Sequence, residues 1–313
     1  MNTSNGCKKT KKTGELMVWS SRFIPLIGRM RSLNQLTKLP VCLMVAFSSL
    51  FGSILAGPLS LYRAILIGLG MLFLACGSAA LNSWQEIGLD SSMCRTKNRP
   101  LPRGVISQGR AAGIAFLLIL TGLMVLFLAS HLLLTVGIAL VAVFLYNLVY
   151  TPLKTRTVAA IIPGAVSGAL PPYIGWIAAG GDPLSRSAQL MVVLFILWQV
   201  PHSLLVMLSY KDDYWGNDIP SLIKLLPESS LKRIFIIWVG AFMVVLLCWT
   251  ELLMGFTNQA RIFLLISVCA VMILFCLQLP GRRRPEYHSI FIQFNCYLLI
   301  IMTVLAGDRL FLS

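Results

Sequence analysis

Nine apolar stretches punctuate the chain, near residues 39–60, 64–86, 111–130, 132–152, 157–180, 187–210, 233–254, 262–280 and 289–307. Each approaches the roughly 20 residues that an α-helix needs to cross about 30 Å of hydrocarbon. Lipid cannot satisfy free backbone groups, so every crossing segment must be helical. The pattern predicts an all-α, polytopic membrane protein with nine transmembrane helices. Only His131 separates the third stretch from the fourth, so a tight turn is expected there, and Glu251 interrupts the far end of the seventh. Residues 1–35 form a basic lead. Within it, residues 1–15 are expected to be disordered and residues 17–30 to form a helix on the bilayer surface. Residues 36–313 are expected to form one nine-helix domain.

The basic residues fall between the apolar runs, and their distribution predicts orientation. With the N-terminus cytoplasmic, all of the 26 Lys and Arg except Arg63, Arg186, Arg261 and Arg309 lie on the cytoplasmic side, as the positive-inside rule requires. The two longest connections, 87–110 and 211–232, fall on that side too. Composition agrees. The chain is 57% hydrophobic and 12% charged, with mean hydropathy +0.82, whereas a soluble domain carries about 25% charged residues. The net charge of +15 is spread over loops, with no basic domain interleaved with aromatic residues, so no nucleic-acid partner is expected. Eight cysteines lie mostly inside apolar runs without C-x-x-C spacing, which fits packing residues better than a disulfide framework or a zinc site.

Candidate chemistry gathers at the loops. Asn82, Glu86 and Asp90 follow one another at intervals of four. On a continuous helix they would form one leaning stripe roughly 12 Å long. Two carboxylates and an amide oxygen suit a hard cation such as Mg²⁺, which also keeps phosphate oxygens and waters. A solvated helix end would use the same residues. The adjoining loop changes the balance, because Arg95, Thr96, Lys97, Arg99 and Arg103 follow at once and Arg neutralises phosphate through paired donors. A topogenic loop explains those charges but not the carboxylates beside them. A second acidic group, Lys211-Asp212-Asp213-Tyr214 followed by Asp218, ends the sixth stretch on the same side. Carboxylates from both groups could hold metal ions against a diphosphate leaving group. Between them lies Tyr150-Thr-Pro-Leu-Lys154. Lys154 can reach phosphate, and Tyr146 or Tyr150 can face a developing cation, although tyrosines at this depth also belong to the interfacial aromatic belt. Pro163, Pro171 and Pro172 interrupt the fifth stretch, a pattern that often bends membrane helices around a cavity. His202 lies inside the sixth stretch and is a functional candidate by its depth, or else a packed histidine. His131 and His288 are expected in loops, without a role.

These motifs carry a resemblance to the UbiA-type intramembrane prenyltransferases. Asn82, Glu86 and Asp90 match an N-x-x-x-D-x-x-x-D pattern ending the second helix, with Glu86 in place of the usual Asp. Met93, Arg95, Thr96, Arg99, Pro100 and Leu101 match M-x-R-T-x-x-R-P-L, which resembles most the protoheme IX farnesyltransferase (heme O synthase) branch. Tyr150 through Thr157, Gly168 through Trp176, Trp198 through His202, and Lys211 through Tyr214 resemble its later blocks. Ser203 replaces an aromatic residue, and residues 216–226 depart from the pattern.

The resemblance implies transfer of a farnesyl group from farnesyl diphosphate to a vinyl group of heme B, giving heme O and diphosphate. It implies Mg²⁺ on Asn82, Glu86, Asp90 and Asp213, with Lys154 and Tyr150 also in the catalytic set. Arg95, Thr96, Arg99, Lys211, Tyr214, His202 and Tyr146 are the implied substrate contacts. It also implies a place in the inner (plasma) membrane with the site facing the cytoplasm, and a heme A synthase or terminal oxidase as partner. Two alternatives remain open at this point. One is a prenyltransferase of the same type with another acceptor, such as a quinone precursor. The other is a heme-handling or transport protein without catalysis, against which the acidic groups lie at the surface and not at the midplane where transporter sites lie.

Overall fold

The computed structural model describes residues 23–216, 219–252, 255–281 and 286–311. Among these, nine helices are long and apolar enough to cross a membrane. In chain order the helices are α1 (Phe23–Thr37), α2 (Leu39–Ala56), α3 (Leu61–Gln85), α4 (Ile87–Ser92), α5 (Gln108–Ser130) and α6 (Leu133–Val143). The last continues through a π-helical segment, Phe144–Tyr150, into α7 (Thr151–Leu153). Then come α8 (Ile161–Ala178), α9 (Arg186–Ser209), α10 (Lys211–Trp215), α11 (Leu222–Leu225), α12 (Glu228–Leu252), α13 (Asn258–Gly281) and α14 (Tyr287–Phe311). No strand occurs among the described residues. Large apolar side chains such as Phe116, Leu133, Ile237 and Leu277 stand 68–78% exposed on the outside of the bundle, a surface that suits lipid and not water.

The expected nine segments are all present, with ends shifted by a few residues. Of the helix expected over 17–30, residues 17–22 lie outside those described; a helix runs Phe23–Thr37, and its Leu36 is buried. Residues 1–15 lie outside those described. The turn at His131 is as tight as its position demands. His131 adopts the left-handed conformation at φ 54°, and its N–H closes α5 on the Phe127 carbonyl at 2.7 Å. Glu251, at the end of α12, pairs with Arg261 of α13 at 3.5 Å. The buried Asp308 carboxylate of α14 accepts the Thr257 N–H at 3.1 Å and the Thr257 hydroxyl, tying the end of α14 to the start of α13.

Two expectations are corrected. The first concerns the prolines of the fifth segment. The segment is not interrupted: α8 runs unbroken through Pro171 and Pro172, and both are buried, Pro172 where α8 crosses α2. The α2–α8 crossing is so close that a Cβ on Gly52 would stand 1.9 Å from the Pro172 carbonyl oxygen, and one on Gly175 would stand 1.8 Å from that of Ser49. Backbone cannot yield as a side-chain tip can. Gly175→Val should therefore lower the detergent melting temperature by the equivalent of about 2 kcal/mol or more; an unchanged melting curve would show that the helices can separate at no cost. The second correction concerns His288, which is not a loop residue but lies in the first turn of α14, its ring stacked on Phe291.

Candidate active site

α3 delivers the acidic row, but not as one straight helix. It ends at Gln85, and Glu86 takes φ −98°, ψ 13° before α4 carries Asp90. The hydrogen-bond chain survives the bend, with Glu86 N–H on the Asn82 carbonyl at 3.0 Å and Asp90 N–H on the Glu86 carbonyl at 2.7 Å. Asn82, Glu86 and Asp90 are all buried. The continuous stripe expected from the spacing is thus corrected to a hinged one.

Each member of the row is held by a cation. Lys154 forms an ion pair with Glu86. Arg99 Nη1 donates to both oxygens of Asp90, at 3.0 and 2.8 Å. Lys38 Nζ donates to Asn82 Oδ1 at 2.6 Å, while Asn82 Nδ2 donates to Thr151 Oγ1 at 3.0 Å. Burying a carboxylate is tolerable only with such pairing. Burial lowers the Lys38 ammonium to about 8, against the pull of the nearby Glu86 carboxylate. Burial also works against the Lys154 ammonium, yet the Glu86 carboxylate prevails and holds it above its ordinary value.

Lys38 is a site residue that the sequence did not single out. It is the last basic residue before the first apolar run, and nothing in its spacing sets it apart from the other charges that flank the runs. In the fold it occupies the junction of α1 and α2 in the left-handed conformation, φ 53°, which turns its side chain inward to the row. Asn147, wholly buried in the π-helical segment, was also missed. An amide in the middle of an apolar segment was the available signal.

The aromatic candidates assemble beside this bed. Tyr146 and Tyr150 stack with centroids 5.6 Å apart, and the Lys154 ammonium lies 5.9 Å from the Tyr150 ring. The second acidic group is brought to the same end of the bundle. Arg95 lies 4.4 Å over the ring of Tyr210, at the junction of α9 and α10. The half-buried Tyr214 feels the charges of Lys154, Arg95 and Glu86, and its phenol is raised chiefly by burial. Asp213 lies one residue earlier, half-buried, with its N–H on the Tyr210 carbonyl at 3.0 Å. Lys211 is exposed, and Asp218 lies outside the described residues. Thr96 is 1% exposed, and its hydroxyl donates to the Asp90 carbonyl at 2.9 Å, so here it staples the basic loop to α4.

His202 lies deeper, on α9. Its Nδ1 is 3.1 Å from Asn295 Oδ1, and that amide's Nδ2 donates to the Phe291 carbonyl at 2.6 Å. Nδ1 is therefore the donor, and the neutral ring keeps its lone pair on Nε2. Trp198 and Phe291 flank the ring at 4.5 and 5.1 Å. Rings continue through His288 and Tyr210, at 6.3 Å steps, to Arg95. An aromatic track thus links the charged bed to His202.

Among the described residues, no group of three or more His, Cys, Asp or Glu side chains is placed to hold a metal by itself. The donors of the acidic row are all oxygens, buried and matched to positive charge. That set fits a hard cation completing its shell with phosphate oxygens and water; it does not fit a closed transition-metal cage.

The model of the UbiA prenyltransferase family matches residues 45–299. A protein named protoheme IX farnesyltransferase in Nitratidesulfovibrio vulgaris (strain DP4) is 36% identical over 273 residues, covering 86% of this chain and 92% of that one. One of the same name in Oleidesulfovibrio alaskensis (strain ATCC BAA-1058 / DSM 17464 / G20) is 33% identical over 290 residues, covering 91% and 98%. Among solved structures, one of digeranylgeranylglyceryl phosphate synthase superposes with a TM-score of 0.72 at 13% identity, covering 90% of this chain and 99% of that one. A UbiA homolog from Archaeoglobus fulgidus bound to GPP and Mg²⁺ gives a TM-score of 0.60 at 16% identity, covering 87% and 99%. At such identities the structures speak for the fold alone.

Proposed function

The chain belongs to the UbiA prenyltransferase family, and from that premise we propose that it transfers a farnesyl group from farnesyl diphosphate to a vinyl group of heme B, forming heme O. The observation that carries the reading is the buried bed in which Asn82, Glu86 and Asp90 meet Lys38, Lys154 and Arg99 beside two stacked tyrosines. The names of the relatives support heme as the acceptor.

The bed explains how such a reaction proceeds. Lys38, Lys154 and Arg99 exchange their carboxylate and amide partners for diphosphate oxygens, and Arg95 adds charge at the rim. Asn82, Glu86, Asp90 and Asp213 would hold Mg²⁺, which supplies neutralisation of the leaving group. The C1–O bond of farnesyl diphosphate breaks with its electron pair on the departing oxygen. The rings of Tyr146 and Tyr150 face the allylic cation and shield it from water. The terminal vinyl carbon of heme then bonds to C1, and positive charge passes to the carbon attached to the porphyrin. Water adds there and loses a proton, leaving a hydroxyl beside the new farnesyl chain. His202 orients the heme, whose iron belongs to the substrate.

The reading places the protein in the inner (plasma) membrane, with its N-terminus and active site on the cytoplasmic side. A heme A synthase or a terminal oxidase would take up the product. Diphosphate release from labelled farnesyl diphosphate tests the metal's part in the reaction. Release should fall to background after chelation and return with Mg²⁺; undiminished release from metal-free protein would contradict the metal-held leaving group.

A further inference from the structure

The π-helical segment Phe144–Tyr150 leaves one backbone carbonyl without a main-chain donor, and the chain supplies one from another helix. In an α-helix the Asn147 carbonyl would accept the N–H of residue 151. Here the Thr151 N–H goes to Tyr146 instead, five residues back, and the Thr151 hydroxyl donates to the same oxygen at 2.8 Å. Shifted to that spacing, the donor for Asn147 would be residue 152. Residue 152 is proline and has no N–H. An unpaired carbonyl at a wholly buried residue is costly. Gln85 Nε2 meets it at 2.9 Å.

Gln85 is the last residue of α3 and the direct neighbour of Glu86. Its side-chain oxygen, Oε1, accepts from Asn147 Nδ2 at 3.3 Å, and the same amide nitrogen donates to the Ser78 carbonyl at 2.9 Å. The Ser78 hydroxyl in turn donates to Asn147 Oδ1 at 2.5 Å. Two further cross-links follow in the same direction, Asn82 to Thr151 and Glu86 to Lys154. The end of α3 and residues 146–154 are therefore cross-linked at matched positions, with the Glu86–Lys154 pair at the charged end.

We propose that Gln85 is a positioning residue whose side-chain amide replaces the backbone donor missing at Pro152, and so fixes the acidic end of α3 against the Tyr146–Lys154 segment. This rests on the prenyl-transfer reading only for its effect on turnover; the hydrogen-bond exchange stands on its own. Its distinctive consequence is that the donor role of Gln85 becomes dispensable once residue 152 regains an N–H.

The test is a double-mutant cycle on the full-length protein in detergent, with Gln85→Met and Pro152→Ala made singly and together. Two quantities are followed, the melting temperature and the rate of diphosphate release from farnesyl diphosphate with heme present. Gln85→Met alone should lower kcat by about tenfold with KM for farnesyl diphosphate within about twofold, the pattern of misplaced groups and not of lost binding. It should also lower the melting temperature. In the Pro152→Ala background the same replacement should cost markedly less in both kcat and melting temperature, the remainder being the long acceptor contact that Gln85 Oε1 makes to Asn147 Nδ2 at 3.3 Å. Equal penalties in both backgrounds would overturn the proposal, as would a Gln85→Met protein with normal kcat and melting. If the wild-type chain releases no diphosphate, the functional reading fails, and the melting cycle alone still decides the exchange. If Pro152→Ala does not accumulate, Gln85→Glu decides. It keeps the acceptor for Asn147 Nδ2 and loses the donor to the carbonyl, so it should lose kcat and melting temperature as Gln85→Met does. Wild-type behaviour of Gln85→Glu would overturn the proposal.

Discussion

Asp90→Asn should reduce turnover by about 10³-fold while the protein still inserts and purifies from detergent as the wild type does. Asp90 is 3% exposed and takes both of its oxygens to one nitrogen of Arg99. The amide keeps the shape and one acceptor, so packing survives. The negative charge is what disappears, and with it the group that balances a metal ion against the diphosphate. Leaving-group stabilisation is the main term available to a reaction that begins by ionisation, because no nucleophile assists the C1–O cleavage. Diphosphate release measured on the purified variant checks the outcome. Near-normal turnover would remove Asp90 from the metal-holding set and leave its pairing with Arg99 as a purely structural contact.

Lys154→Met should damage both stability and turnover, and a second substitution should separate the two. Glu86 is buried, and Lys154 is its ion-pair partner. Removing one member of a buried pair strands the other, at a cost of about 3–5 kcal/mol. The single variant should therefore melt well below the wild type. Adding Glu86→Gln removes the stranded charge and should restore most of the melting temperature. Activity should not return, because the diphosphate has lost a cation and the metal has lost a carboxylate. A double variant that recovers turnover together with melting would show the pair to be structural only.

The fold was legible because lipid imposes a length and an apolar composition that few other solvents would tolerate. Each apolar run announced a crossing, and His131 announced its turn by being the one ionisable residue between two runs. The acidic row was legible for a related reason, since Asn82, Glu86 and Asp90 are too costly to bury unless something pairs with them. What the spacing could not show was the hinge at Glu86, because helical periodicity assumes a straight axis. Lys38 was hidden among other basic residues; only a left-handed turn between α1 and α2 points it inward. Gln85 and Asn147 were hidden because a π-helical register has no sequence period of its own, and Pro152 shows its effect only once the partner of each backbone group is known. Pro171 and Pro172 carried a real signal of altered backbone. It marked a close helix crossing at which Pro172 and Gly175 of α8 meet Gly52 and Ser49 of α2, residues more than a hundred positions away in the chain.

On the proposed reading, this bed ionises farnesyl diphosphate in order to alkylate heme. The most direct measurement is the mass spectrum of the porphyrin recovered after the purified protein has been incubated with farnesyl diphosphate, heme B and Mg²⁺. The expected product is a heme carrying one added farnesyl group and one added hydroxyl, absent when Asp90→Asn replaces the wild type. Recovery of unchanged heme B, with the farnesyl group found on a different acceptor or on water, would contradict it.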